Sequence, residues 1–417
     1  MVEKHIKVYT FIFIIFTLIL FSSMLYVGES NFILLIYINF LIIVYIVFRK
    51  YDLKLLTLII IQWLIYFIFL IIHKYFVNLI GSGNDDIRFE KLAINFYNYY
   101  LYGIKPDIFQ NSILYSQILG VVYYLGGYND LIPGLINISI HSITIILLYK
   151  IYILVLKTKK GSILTCALYT FYPLTMFNTI ITLREIVIIA IIMIFVYTFL
   201  LFYVFKKNIY LLLNVLSLVV GTSFHIGLLG LIIFYIIYIT FFTNLNKIIK
   251  VFSVLLFIIT SRIYLATTEN TKIVNNISDK NKDFDKSISR ADYLIPGSSS
   301  GFINDLIFKL KQEVFFIAKP FIWEIRGFAD LTGFLNTTFI LLGILLGIYI
   351  YIKSKNKRII ILLVMVLSIY FVFALGTYNY GTALRHRDKG SMLLTLFIPY
   401  FYYFNRKKRS GYNGKNT

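Results

Sequence analysis

Charge is scarce in this chain: Asp, Glu, Lys and Arg make up 14% of its 417 residues, against roughly 25% in soluble domains. A soluble fold of this length would need many more charges on its surface, so a soluble enzyme, a disordered chain and a coiled coil are all excluded. Acids are scarcer still, at 19 against 40 Lys and Arg. The lone cysteine, Cys166, lies inside an apolar run, which excludes disulfides and thiolate metal sites. Prolines number six, and a usage heavy in Ile, Phe, Tyr, Asn and Lys fits an AT-rich genome. Tyr and Asn abundance therefore carries no functional weight by itself. What is present is apolar: 59% hydrophobic and 18% aromatic residues, with a mean hydropathy of +0.82. This is the composition of a polytopic membrane protein.

Apolar runs long enough to span a bilayer begin at once, with Val8–Val27, Asn31–Phe48 and Leu55–Phe76. The first is followed by Gly28-Glu29-Ser30 rather than a small-residue cleavage site, and reads as an anchor rather than a signal peptide. Further runs cover Leu131–Leu156, Ser162–Ile181, Ile186–Phe205, Ile209–Phe242, Ile248–Ala266, Phe334–Ile352, Ile359–Leu375 and Ser391–Phe404. No internal repeat is visible.

The net charge of +21 resembles a nucleic-acid signal until it is placed along the chain. Basic residues concentrate in short connectors: Arg49-Lys50, Lys157–Lys160, Lys206-Lys207, Lys247–Lys250, Lys353–Arg358 and Arg406–Arg409. Assigning these to the cytoplasm with both termini, by the positive-inside rule, leaves the outer side nearly neutral. The basic excess is topological, and a nucleic-acid role falls away. The same rule makes Ser112–Gly127 a re-entrant or interfacial helix rather than a crossing. It also requires Ile209–Phe242 to leave and return, with a break at Gly221–His225. The expectation is an all-α, multi-pass protein of the cell membrane with about 12 transmembrane helices in a single domain, residues 1–417. Residues 77–130 form an outer loop with interfacial helices, 267–333 a second outer loop, and 405–417 a cytoplasmic basic tail.

On this topology the polar residues gather on the outer face, where charges near hydrocarbon pair, line a wet cavity or do chemistry. Asp85 and Asp86 follow the third helix. They read either as a solvated helix end or as a carboxylate that takes a proton from a hydroxyl or holds a divalent metal. Arg184 and Glu185 form either a structural ion pair at a turn or, through the guanidinium, a grip on a lipid phosphate. His225, at the expected break, is a satisfied polar residue or a catalytic base. Arg385-His386-Arg387 runs against the positive-inside trend and reads as a phosphate or pyrophosphate clamp, or as a surface patch. Trp323, Glu324 and Arg326, in the run Pro320–Arg326, are further candidates for substrate binding. The aromatic stretch Phe96–Tyr102 reads as an interfacial belt or as a platform that stacks on sugars. His73 and His141 are expected to be without chemical roles.

A helix ending in an outer-face acidic pair, followed by a long outer loop with interfacial helices, resembles the GT-C membrane glycosyltransferases. The texture from Asp85 through Tyr115, Tyr123-Tyr124-Leu125-Gly126-Gly127, Leu135-Ile136-Asn137 and Tyr172-Pro173 to Leu183-Arg184-Glu185 is similar. Phe224-His225 and Gly381–Arg387 look like parts of repeat-unit (O-antigen or capsule) polymerases. The expected topology has two helices before the one leading to Asp85-Asp86, where many GT-C enzymes have none, and no soluble periplasmic domain after the last helix. The resemblance implies glycosyl transfer from a polyprenyl-(pyro)phosphate-linked sugar at the outer face of the membrane. Asp85 or Asp86 would serve as base or metal ligand, with Glu185 or His225 in reserve, and Arg385, Arg387 and Arg184 would meet the leaving phosphate. No cofactor beyond an optional divalent metal is implied; the expected partners are the lipid-linked sugar, membrane lipid and polysaccharide-assembly proteins. Two other classes stay open: a transporter or flippase of lipid-linked oligosaccharide, and an outer-face acyltransferase using His225 or His386. The nearly charge-free helix interiors argue against the transporter.

Overall fold

The computed structural model describes residues 52–79, 84–110, 112–248, 250–252, 255, 302–377 and 379–413. The described residues form helices and no strand. Contacts divide the chain into two units, the first running to Phe224 and the second from His225 onward, with Val155–Lys157 counted in the second.

The first unit contains α1 (Leu53–Tyr75), α2 (Asp85–Tyr102), α3 (Leu114–Gly126), α4 (Ile132–Leu156), α5 (Ser162–Thr170), α6 (Pro173–Ile180), α7 (Glu185–Phe205) and α8 (Asn208–Phe224). Asp52 caps α1 by accepting the Lys54 N–H at 3.0 Å. The 23 residues that follow reach about 35 Å, enough to cross a hydrocarbon core of roughly 30 Å. α2 and α3 pair as a hairpin held by close backbone approach at Gly120. A Cβ there would sit 2.6 Å from Phe96 Cβ and 3.0 Å from the Ala93 carbonyl oxygen. Gly120→Leu is therefore expected to pry the hairpin apart at a cost of about 1–3 kcal/mol, read as a lower midpoint in thermal unfolding of the detergent-solubilised protein.

Polar side chains join the long helices from within. Asn214, fully buried on α8, donates to the Phe195 carbonyl at 2.6 Å and to Thr198 Oγ1 at 2.9 Å on α7, an interhelical bond of the kind that ties membrane helices. His141, on α4, stacks on Tyr169 at 4.9 Å and meets the Tyr66 hydroxyl at 3.3 Å. That is the packing role expected for it. α5 and α6 meet at a 59° bend. The bend falls where Pro173 opens α6 and lacks the N–H that would continue α5.

The second unit contains a 3₁₀ turn (Ile226–Leu229), α9 (Gly230–Phe242), α10 (Phe302–Ala318), a 3₁₀ turn (Ile322–Glu324), α11 (Phe328–Ser354), α12 (Lys357–Leu375), α13 (Tyr380–Leu394) and α14 (Phe397–Asn413). α9 lies against α12 so closely that a Cβ on Gly230 would meet the Ser368 carbonyl oxygen at 2.4 Å. α10 is fixed to the end of α12 by Gln312, which donates to the Ala374 carbonyl at 2.7 Å.

The expected count of about 12 crossings is not met among the described residues. Five helices are long and apolar enough: α1, α4, α7, α11 and α12; the bent α5–α6 pair would make six. One predicted break and one unpredicted bend explain part of the difference. Ile209–Phe242 is divided at His225 into two apolar helices, each below crossing length, and Ser162–Ile181 bends at Pro173. Ser391–Phe404 is shared between α13 and α14 instead of forming one rod. Ser112–Gly127 forms the 13-residue α3, as a non-crossing helix should. Val8–Val27 and Asn31–Phe48 lie outside the described residues, as do most of Ile248–Ala266 and positions 267–301 of the second loop. The described part of that loop is helical in α10, and the basic tail is helical as far as Asn413. The coarse expectation holds: the described residues are helical, and their apolar helices are those of a membrane-embedded protein.

Candidate functional site

In the first unit the polar groups collect where α1 ends, α2 begins and the chain turns from α6 into α7. His73 is 4% exposed. Its Nδ1 accepts the Leu79 backbone N–H at 3.0 Å, which assigns the ring proton to Nε2 in the neutral imidazole. Nε2 lies 3.6 Å from Asp86 Oδ2. One residue on, the Lys74 ammonium bonds Glu90 Oε1, which also accepts the Thr182 hydroxyl. Asp86 and Glu90, four residues apart, share one face of α2, and each meets a basic residue of α1. Asp85 turns away to a more exposed position, 3.8 Å from Arg88 Nη1, where an ion pair contributes little. The two neighbouring acids thus part company: Asp86 is buried in the cluster and Asp85 belongs to the helix surface.

The turn carrying Arg184 and Glu185 is held from several sides. Asn137 Nδ2 donates to the carbonyls of Ile181 (3.2 Å) and Leu183 (3.1 Å), and Thr182 is bound by Glu90. Arg184 Nη1 donates to the Phe224 carbonyl at 2.7 Å, satisfying the last residue of α8, and the guanidinium lies 6.0 Å from the centre of the Phe89 ring. Phe89 sits one turn beyond Asp86 on α2, so Arg184 and Asp86 belong to one neighbourhood. Glu185 is buried in the first turn of α7, where a carboxylate complements the helix dipole.

The remaining candidates belong to the second unit. His225 caps the 3₁₀ turn, its Nδ1 accepting the Gly227 N–H at 2.9 Å. Its ring lies 5.2 Å from that of His386, and both rings contact Phe373, at 4.9 and 4.6 Å. His386 Nδ1 is 2.8 Å from Lys389 Nζ, a lysine that is fully buried. His225 and His386 thus meet over Phe373, and Lys389 lies against His386 and over the same ring, 4.9 Å from its centre. Arg387 is also fully buried. Its Nη1 donates to Thr337 Oγ1 (2.6 Å) and to the carbonyls of Lys319 (2.9 Å) and Ile317 (3.3 Å), at the end of α10. Arg385, on the same helix, is half-buried.

Glu324 closes the turn after α10, accepting from Lys319 Nζ (2.7 Å), the Phe321 N–H (2.8 Å) and the Tyr380 hydroxyl (3.4 Å). Burial works against its ionisation, but the Lys319 and Phe321 bonds prevail and hold its carboxyl below the usual range. Burial and the same carboxylate push the Tyr380 phenol up to about 12. Trp323 is 77% exposed and stacks on Phe321 at 4.9 Å, and the Arg326 side chain is exposed. Among the described residues no three His, Cys, Asp or Glu side chains lie together as a metal site.

Sequence reasoning passed over Lys74, Glu90, Thr182 and Lys389, and set His73 aside. Two patterns in the sequence bear on all of them but Thr182, although neither shows which partner each residue meets. His73-Lys74 faces an acid spacing of four, Asp86 to Glu90, across one short loop. Arg385–Lys389 is five consecutive ionisable residues, and at 100° per residue a helix cannot pack without burying some of them. Compared with protein-family profiles, curated proteins and solved structures, the chain has no match.

Proposed function

We propose that this protein is a membrane glycosyltransferase or repeat-unit polymerase. It would act on polyprenyl-(pyro)phosphate-linked sugars at the outer face of the cytoplasmic membrane, in surface-polysaccharide synthesis. The observation that carries the reading is Asp86: a buried carboxylate faced by an oriented imidazole, in the same neighbourhood as the Arg184 guanidinium, within an otherwise apolar helical unit. Asp86 accepts the proton of the acceptor hydroxyl as its oxygen bonds the anomeric carbon. The bond from that carbon to the phosphate oxygen breaks, and the phosphate departs with the electron pair. Arg184 balances its charge at a site where little water screens the interaction. His73 Nε2 faces the carboxylate from 3.6 Å. In the second unit, Arg385 with His386 and Lys389 is a further cationic group suited to phosphate.

In proteoliposomes supplied with a lipid-linked sugar and an acceptor, Asp86→Asn is expected to slow transfer about 10²–10⁴-fold, with Asp85→Asn much milder. Arg385→Ala is expected to abolish transfer while the protein stays inserted. Wild-type rates from both Asp86→Asn and Arg385→Ala would end this reading.

One observation favours a second reading, a flippase for lipid-linked oligosaccharide. Arg387, Asp388 and Lys389 are all fully buried within α13, and ionisable residues inside membrane proteins commonly mark transport pathways. The same assay separates the two, because a flippase changes the sidedness of the lipid without forming a glycosidic bond.

A further inference from the structure

Beside the Glu90 hub of the first unit, tyrosines of α2 and α3 gather with carboxylates. Tyr123 is 1% exposed, and its ring meets Tyr97 edge-on at 6.3 Å and Tyr128 at 5.1 Å. The hydroxyls of two nearby tyrosines are occupied. Tyr115 donates to Asn137 Oδ1 at 3.2 Å, and Tyr128 donates to Asp130. The Tyr123 hydroxyl is buried and has no hydrogen-bond partner among the described residues. Burial, the Glu90 charge and the nearby Tyr115, Tyr128 and Asp130 all push its ionisation up, so it stays a phenol and can donate.

A buried donor without an acceptor is unfavourable in the unliganded protein, and it defines what would complete it. The ligand must offer an acceptor to Tyr123, which excludes a simple ammonium or guanidinium group, since these only donate. It must tolerate Glu90 and Asp130, which disfavours an anion. A hydroxyl both donates and accepts, and a ring of hydroxyls with apolar C–H faces also suits the tyrosine rings. The geometry points to a subsite for the uncharged part of a sugar ring, with Tyr123 donating to a ring hydroxyl and a carboxylate accepting from another. This deepens the function proposed above and rests on it for the source of the sugar. Binding of the ring itself is independent of transfer.

The test uses the full chain in detergent with four free monosaccharides: glucose, galactose, N-acetylglucosamine and glucuronic acid. At least one neutral sugar is expected to raise the melting midpoint of the parent, and glucuronic acid is expected to be the weakest. Tyr123→Phe, which keeps the ring, is expected to fold with an unchanged or higher unliganded midpoint and to bind about tenfold more weakly. A hydroxyl that is merely structural would leave sugar affinity unmoved. A second readout needs no variant: nitration of Tyr128, which is 43% exposed beside Tyr123, should slow when the sugar is present. Equal affinity in Tyr123→Phe, or a panel that neither shifts the parent nor protects Tyr128, overturns the subsite. Sugar binding without transfer would leave the subsite standing and remove the glycosyltransferase reading. Transfer at the parental rate by Tyr123→Phe would do the reverse.

Discussion

Arg387→Ala is expected to destabilise the second unit by about 3–5 kcal/mol, seen as an early unfolding transition in detergent and a loss of inserted protein. The guanidinium is fully buried, and one of its nitrogens serves Thr337 Oγ1 and the carbonyls of Ile317 and Lys319. Those carbonyls close α10, and a helix end leaves its last carbonyls without intrahelical donors. Truncation removes the charge-assisted donors and leaves a void the size of an arginine side chain. Arg387→Lys would restore the charge but not the planar fork, so it should recover only part of the loss. Arg385→Ala, two residues away and half-buried, should change stability by less than about 1 kcal/mol while removing transfer. The two arginines that the sequence presents as one clamp are thus expected to separate into a stability residue and an activity residue. Full stability of Arg387→Ala would refute that division.

Glu313→Gln is expected to stabilise the protein at alkaline pH and to leave it unchanged in acid. Glu313 lies on α10 between Gln312 and the exposed Val314, with Oε2 buried and unbonded among the described residues. Burial pushes its carboxyl up to about 8, so the folded protein keeps a proton that the unfolded chain gives up near 4.5. The folded state therefore binds more protons between those values, and stability falls as pH rises through that window. The whole decline is about 5 kcal/mol at most, and less where solvent screens the half-buried side chain. Glutamine imitates the protonated acid and cannot lose the proton. Unfolding midpoints of the two proteins should coincide near pH 4, diverge progressively up to about pH 8 and keep a constant separation above it. Parallel curves across this range would show that Glu313 ionises normally.

The sequence carried much of the helical architecture and less of the site. Runs such as Ile186–Phe205 and Ile359–Leu375 differ from α7 and α12 by one or two residues at one end, because a long apolar stretch has few alternatives to a buried helix. The break at His225 was legible from the small residues before it and the basic connectors on either side. The number of crossings was not, since hydropathy counts apolar residues without saying whether they form a straight rod, as Ser162–Ile181 shows. At the site, Asp86 and Arg184 stood out as charges beside apolar runs. Glu90 did not, because its importance comes from Lys74 and Thr182, which lie 16 and 92 residues away in sequence. Arg387 was legible as a charge but not as the cap of α10, a helix far away along the chain. Lys389 was hidden by its position at the edge of a run that looked like solvent-facing charge.

The bend between α5 and α6 has a consequence for how this chain can drift in sequence. The bend at Pro173 ends α5 at Thr170, and the Thr170 carbonyl takes the Tyr66 hydroxyl at 2.6 Å in place of the Leu174 N–H that a continuous helix would supply. Tyr66 thus acts as a prosthetic donor for a peptide group more than a hundred positions distant. A lineage that exchanged the proline for a helix former would relieve the tyrosine of that duty, whereas a lineage that lost the tyrosine first would strand the carbonyl in apolar surroundings. The order in which the two positions can change is therefore constrained, and the proline should yield before the tyrosine does.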